Sequence, residues 1–169
     1  MAEDKIKPIG IDHEGYEVIT KAVLALLSEY GEIIGRQIMF EELGMDSGIA
    51  FSSNSGALVI SETHNILGDY SQVCRYPFFI IYRTASTAER YKLQADAFLD
   101  SVGKWICGES AVINGKEYTL SAFPELTGGR KITRITRTNS YPLEPNENKV
   151  QDWLLPVTVE YTNEIKSKW

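Results

Sequence analysis

The chain has 169 residues, of which 43% are hydrophobic and 24% are charged, a composition typical of one globular domain with a substantial core. Its formal net charge of −6 disfavours a basic nucleic-acid binder, because neutralising phosphates needs clustered lysine and arginine. Two cysteines are too few for a disulfide framework, and residues 1–11, predicted to be a flexible segment, contain no secretory signal. No apolar run approaches the roughly eighteen residues of a membrane span, so no membrane partner is predicted.

The first predicted helix covers residues 14–30, where apolar side chains recur at helical spacing, with Asp12 as N-cap and Gly31 as the end. After it, short β-branched and aromatic runs separated by turn residues predict strands. These predicted strands are residues 37–40, 49–53, 58–61, 70–75 and 78–83. Both faces of the last one are apolar. One face is therefore expected to lie under a helix, and the other to be core or a subunit interface.

A second helix is predicted from Thr87 to Ile106, with Gly108 as its end. The sequence Ser86 to Glu89 fits a capping box, in which the serine hydroxyl accepts from a helical amide and the glutamate reaches back to the cap. Residues 111–120 then predict a hairpin, because Asn114-Gly115 is a dipeptide favoured in two-residue turns.

The last third of the chain predicts a strand over residues 131–138 and a long exposed loop over residues 141–149. Residues 153–161 alternate between apolar and other side chains, which predicts a half-buried strand. Pro156 cannot donate a ladder hydrogen bond, so it is expected at a sheet edge or a bulge.

These elements predict an α+β fold: a mixed, mainly antiparallel sheet with two amphipathic helices packed on it, a β-hairpin and long exposed loops. We place the single domain at residues 12–162 and a C-terminal tail at residues 163–169.

The sequence contains no recognisable catalytic or cofactor motif. His13 and His64 have no partners at metal-ligand spacing, so neither a metal nor another cofactor is predicted. Residues 128–131 (GGRK) lead into a strand rather than a helix, which favours a turn over a phosphate-binding loop. A nucleophilic pair of Cys74 and His64 is conceivable across neighbouring strands, although an inert core cysteine is the expected role. The chain is not expected to be an enzyme.

An acidic cluster lies in one predicted connection. It consists of Glu41, Glu42 and Asp46. Charged clusters in loops are usually solvated surface, and the functional alternative is contact with a basic partner.

The order and spacing of several segments resemble the phage tail terminator and minor capsid family of tailed phages and of tail-like particles of Gram-positive bacteria. These segments are RYPFFIIYR (75–83) leading into the second helix, INGKEYTL (113–120), Tyr141-Pro142 and DWLLPVTVEY (152–161), and they cover most of the chain after residue 70. Tyr141 and Trp153, which lie in these segments, are interaction candidates.

This resemblance implies a structural virion protein, made in the bacterial cytoplasm and located in the tail or tail-like particle. It implies a homohexameric ring that caps the tail tube, stops its polymerisation and docks to the head connector. Self, tail-tube protein and connector protein are then the partners, and DNA is passing cargo rather than a tight ligand. A tail-tube or neck protein is the nearest alternative. A small α+β enzyme or ligand-binding domain with a pocket near Cys74 and His64 is the alternative from another class.

Four basic residues, Arg130, Lys131, Arg134 and Arg137, are the remaining interaction candidates. Arg134 is three residues from both Lys131 and Arg137, and an odd separation in a strand predicts opposite faces. No face should therefore gather all four into a DNA-binding stripe. In a ring around DNA, they are expected to face a neighbouring subunit or a partner.

Overall fold

The structure is a computed structural model that describes residues 7–167. This part of the chain contains two helices and ten strands. The helices are α1 (His13–Ile34) and α2 (Glu89–Ile106). The strands are β1 (Gly10–Ile11), β2 (Met39–Phe40), β3 (Gly48–Ser53), β4 (Leu58–His64), β5 (Tyr70–Thr84), β6 (Ala111–Ile113), β7 (Lys116–Tyr118), β8 (Arg130–Arg137), β9 (Tyr141–Pro142) and β10 (Gln151–Ile165).

One large sheet organises the domain in the order β1-β4-β5-β10-β8. The two longest strands, β5 and β10, pair antiparallel along their whole length, from Thr84 opposite Gln151 to Tyr70 opposite Ile165. Strands β4 and β3 pair with the first and second parts of β5, on the same side of it. Strand β9 pairs with the start of β10, and β2 pairs parallel with β3. The predicted α+β fold with a mixed, mainly antiparallel sheet is confirmed.

Both helices pack on the same face of the sheet, which we call the helix face. On α1, the Thr20 hydroxyl lies 2.8 Å from the Tyr76 hydroxyl of β5. The helices also meet each other, where the rings of Tyr30 and Trp105 are 5.3 Å apart. Between helices and sheet lies a single core whose side chains alternate along the strands, as the two-residue period of a strand requires. From β10 it receives Leu155, Val157, Val159 and Tyr161.

Helix α1 is longer than predicted. Asp12 is its N-cap, with the carboxylate accepting a hydrogen bond from the Gly15 amide at 3.0 Å. The predicted end at Gly31 is wrong, because Gly31 is buried inside the helix, where a Cβ would come within 2.6 Å of the Arg36 carbonyl oxygen. The helix ends at Gly35, in the left-handed conformation with φ 70°.

The predicted capping box of α2 does not form. The helix begins at Glu89, its N-cap Ala88 has no side-chain hydrogen bond, and the Ser86 hydroxyl accepts only from the Ala88 amide at 3.1 Å. At the other end Gly108 terminates the helix as expected, since its amide and that of Glu109 return to the carbonyls of the last turn.

The hairpin β6–β7 also has its predicted turn. Asn114 and Gly115 both have positive φ, which a two-residue turn of this kind requires.

Two prolines explain where the strand predictions were wrong. The break predicted between residues 75 and 78 is absent. Along β5, pairing with β4 stops at Arg75 and pairing with β3 starts at Phe78, so Pro77 lies at the gap between the two neighbouring strands. Pro156 is not on an edge strand, yet it lies between the segments of β10 that pair with β9 and with β8. Neither position needs a ladder donor, so a central strand accommodates each proline.

The predicted domain boundaries move outward. Gly10 and Ile11, placed in the flexible segment, form β1, and residues 163–165, placed in the tail, belong to β10. Residues 1–6 of the predicted flexible segment and residues 168–169 of the predicted tail lie outside the described residues. The predicted exposed loop 141–149 begins with β9, and the Asn146 side chain accepts from the Asn148 and Val150 amides.

Candidate interaction surface

The face of the large sheet opposite the helices, here called the open face, is not covered by any helix of residues 7–167. Strand register places on it an apolar strip contributed by the two central strands. All of its members are half-buried rather than buried. The strip consists of Pro77, Phe79, Ile81, Leu154 and Pro156. Partly exposed aromatic and aliphatic side chains on a sheet face are typical of a surface that packs against another body.

An ion pair borders the strip at one end. Arg83 donates two parallel hydrogen bonds to the Asp152 carboxylate, at 2.6 and 2.9 Å. A third donor of Arg83 binds the Gly44 carbonyl oxygen at 2.8 Å, which holds the loop between β2 and β3 against this corner of the sheet. The guanidinium therefore fixes both the sheet and the loop, as a bidentate arginine is suited to do.

A second charged group borders the strip toward β8. Arg134 lies 3.1 Å and Arg75 lies 3.6 Å from the same carboxylate oxygen of Glu160. Lys131 is exposed on the same face and has no acidic partner within residues 7–167. We call Arg75, Lys131, Arg134 and Glu160 the basic corner. Two of its cations share the Glu160 carboxylate and Lys131 is unpaired among the described residues, so the corner keeps a net positive charge.

The predicted alternation of the basic residues is wrong at one position. A bulge at Thr133 shifts the register between β8 and β10, so Lys131 and Arg134 lie on the same face, the open one. Arg130 and Arg137 lie on the helix face. The expectation that no face gathers all four holds, because the four divide two and two.

Arg130 is a structural residue. Its guanidinium binds the Asp12 carboxylate through two hydrogen bonds, at 2.7 and 2.9 Å, and both side chains are almost fully buried. The Tyr161 hydroxyl donates to the same carboxylate at 2.8 Å. Burial alone would raise the pKa of Asp12, but the hydrogen bonds from Arg130, Tyr161 and the Gly15 amide outweigh it and hold this pKa below its usual value. This network joins the start of α1 to β8 and β10.

Arg137 is also engaged within the subunit. Its guanidinium lies 3.3 Å from the Asp100 carboxylate on α2. A Cβ on Gly103 of the same helix would come within 2.5 Å of the Arg137 side chain, so the glycine leaves the space that the arginine occupies. Arg137 therefore joins β8 to α2 rather than facing a partner.

The acidic candidates lie in the loop between β2 and β3, which we call the acidic loop (residues 41–47). Glu41 is tied into the subunit, since it accepts a hydrogen bond from Ser53 at 3.4 Å and has a φ of 51°. Glu42 and Asp46 are exposed and have no cationic partner within residues 7–167. Met45, between them, is 92% exposed. The loop thus presents two free carboxylates around an apolar side chain.

Tyr141 and Trp153 lie on opposite faces. Tyr141 is on the open face, opposite Leu154, and is 40% exposed. Trp153 is on the helix face opposite Tyr82, and its indole N–H is buried without a hydrogen-bond partner among residues 7–167. Tyr141 extends the apolar strip, whereas Trp153 contributes to packing.

The fold separates the two residues of the conceivable nucleophilic pair. Cys74 is buried opposite Val59, and burial raises the pKa of its thiol to about 11. His64 is at the exposed end of β4, opposite Tyr70, where its ring binds Glu62 at 3.0 Å. Cys107 is half-buried, and burial raises its pKa to about 11 as well. Raised pKa values leave both thiols protonated at neutral pH, which opposes nucleophilic chemistry.

Two further searches cover the part of the chain that the structure describes. No group of three or more histidine, cysteine, aspartate or glutamate side chains is arranged there to hold a metal ion. No helix there is both long and apolar enough to cross a membrane. Comparison with protein-family models and with curated proteins finds no match to the chain.

Sequence reasoning missed the residues that frame the surface, Arg83, Asp152 and Glu160. The signal available was the pairing of arginines in RYPFFIIYR with acidic residues in DWLLPVTVEY. Arg75 and Arg83 are eight residues apart in the first segment, and Asp152 and Glu160 are eight residues apart in the second. Antiparallel pairing of the two segments therefore brings each arginine opposite an acidic residue.

Proposed function

We propose that the chain is a structural subunit that assembles with copies of itself through the open face. Together with the resemblance of its segments to phage tail terminators, this leads us to propose a ring that caps a tail tube, stops its polymerisation and offers a docking face to a head connector. The observation that carries the proposal is the half-buried apolar strip on the open face.

The composition of the strip supports assembly over solvation. Phe79 faces Pro156, and Ile81 faces Leu154 across the two central strands, so the apolar side chains are contiguous. When one face of an antiparallel sheet is in contact with water, the side chains on that face are normally polar. Here the charged residues Arg83, Asp152 and Glu160 are kept to the ends of the strip, which resembles an apolar interface centre with a polar rim.

The arrangement of the described polar groups supports a structural role. The buried ions Asp12 and Arg130 are fully used in holding elements together. The thiols of Cys74 and Cys107 are held protonated by burial. These contacts and pKa shifts support a structural role for the four residues.

The test is the mass and shape of the purified full chain, measured by mass photometry and negative-stain electron microscopy. We expect closed rings, and caps on isolated tail tubes when tubes are added. Phe79→Asp should convert the rings to monomers, because it places a charge in the strip. The matched control is Leu93→Asp on α2, a residue that is 64% exposed away from the open face. A monomer at every concentration, or rings unaffected by Phe79→Asp, would refute the proposal; extended tubes would favour a tail-tube protein.

A further inference from the structure

We infer that assembly is head to tail, with the acidic loop of one copy against the basic corner of the next. This inference rests on the proposed self-assembly and specifies which two surfaces meet. It follows from the charges on these two surfaces that have no ion-pair partner among residues 7–167.

The first of the two surfaces is the acidic loop. Glu42 and Asp46, which have no cationic partner among residues 7–167, lie on either side of the exposed Met45 in the sequence. The hydrogen bond from Arg83 to the Gly44 carbonyl oxygen keeps the loop at the corner of the open face. The nearest arginine before the loop, Arg36, lies over the ring of Tyr82 and donates to its hydroxyl at 3.1 Å. Tyr82 is on the helix face, so Arg36 is directed away from the open-face side of the loop.

The second surface is the basic corner. Arg75 and Arg134 share the single carboxylate of Glu160, and Lys131 stands free beside them. The Arg134 side chain is 61% exposed, so it can reach a second carboxylate without leaving the first. The corner therefore has cationic capacity that its own subunit leaves unused.

The two surfaces lie at diagonally opposite corners of the sheet. The acidic loop precedes β3 at the Arg83 end of β5, whereas Lys131 is level with Val73 near the other end of β5. Across the sheet, three strand spacings separate β3 from β8, or about 14 Å. Along the strands, the ten residues from Val73 to Arg83 span roughly 33 Å.

This separation decides which surfaces can meet. One surface is acidic and the other basic, and they are too far apart to meet within one copy, so they pair only between copies. In the head-to-tail contact that we propose, the loop of each copy meets the corner of a different copy, and such heterologous contacts close into a ring when the rotation permits. A two-fold pair, in which each copy's loop meets the other's corner, would satisfy the same charges, so a dimer as the largest wild-type species in mass photometry would overturn head-to-tail assembly. Like corners would repel each other, so the charges also oppose a wrong orientation.

The experiment uses charge reversal in the full chain. One variant is Glu42→Lys with Asp46→Lys, and the other is Lys131→Glu with Arg134→Glu. Each alone should weaken association roughly tenfold or more, because every contact then joins like charges. An equimolar mixture should regain assembly, since the positive loop of one variant meets the negative corner of the other. Mass photometry reads both results, and added salt should weaken the wild-type assembly.

Matched controls keep the same change in net charge on exposed sites elsewhere. These are Glu109→Lys with Glu117→Lys, and Lys92→Glu with Lys116→Glu. Circular dichroism checks folding, and Lys131→Glu alone leaves the Arg134–Glu160 pair intact if the double variant unfolds. Wild-type rings that persist in both reversals overturn the head-to-tail inference and leave self-assembly standing. Loss in each reversal without recovery in the mixture also overturns it. A monomeric wild type overturns both.

Discussion

The two faces of the central sheet differ in how deeply the same strands bury their apolar side chains. On the helix face, Ile80 and Leu155 are fully buried under α1 and α2. One residue further along each strand, Ile81 and Pro156 lie on the open face and remain half-exposed. We therefore expect folding of the subunit to depend on the first set more than on the second, which is apolar but lies outside the buried core. The following predictions test this division.

The largest effect is expected for the buried ion pair. Arg130→Met should lower the free energy of unfolding by about 3–5 kcal/mol, because it leaves the buried Asp12 carboxylate without its cation. The control is Arg134→Met in the same strand, which removes an exposed pair on the other face and should cost about 1 kcal/mol or less. Urea unfolding measures both, and equal losses would contradict the division between the faces.

Adjacent isoleucines give the next effect. Ile80→Ala should cost about 2–5 kcal/mol, since it leaves a cavity in the core. Ile81→Ala should cost clearly less in the monomer and should instead weaken assembly. Chemical denaturation of monomers and mass photometry of the assembled state separate the two results. A large loss of monomer stability in Ile81→Ala would show that the open face is part of the core.

Acidification should lower the stability that Asp12 contributes on the helix face. Because the pKa of Asp12 is held below 3.8, its stabilising contribution is fully present above the unfolded value and is lost as the pH falls through the lower folded value. The free energy of unfolding should therefore decrease below about pH 4. Asp12→Asn should be less stable than the wild type at neutral pH and should lose less of its free energy of unfolding on acidification. An identical pH dependence in both proteins would contradict the role of Asp12.

The smallest effect concerns the start of α2. A capping box at Ser86 predicts a loss of about 1 kcal/mol for Ser86→Ala. The hydroxyl instead accepts only one exposed hydrogen bond, from the Ala88 amide, so we expect a loss of no more than about 0.5 kcal/mol. Thermal unfolding is the measurement. A loss of about 1 kcal/mol would show that Ser86 contributes as much as a capping-box residue does.

Much of the fold was predictable because local patterns determine it. The alternation in residues 153–161, the N-cap at Asp12 and the turn at Asn114-Gly115 each act within a few residues. The errors came from distant neighbours. Whether Pro77 breaks a strand depends on where two other strands meet it, and whether Gly31 ends a helix depends on how closely the chain returns at Arg36.

The candidate surface was predictable only in part. Two apolar faces in FFIIY predicted a helix over one face and either core or a subunit interface on the other. The separation of the basic residues into Lys131 and Arg134 on one face, and Arg130 and Arg137 on the other, depends on the bulge at Thr133. Bulges follow from the pairing of two strands, so one sequence segment alone does not reveal them.

The prolines beside the two gaps in the ladder also disfavour shifts in the register of the outer strands. The Pro77 carbonyl accepts from Asn54 and the Pro156 carbonyl accepts from Thr138, so the missing N–H of each proline points to the same side as a gap. If β8 slipped by two residues toward Trp153, the carbonyl of Thr136 inside the strand, rather than that of Thr138 after its end, would face Pro156 and find no donor. A slip that preserves the burial pattern is thereby penalised. The prolines thus fix the positions of the charges carried by the outer strands.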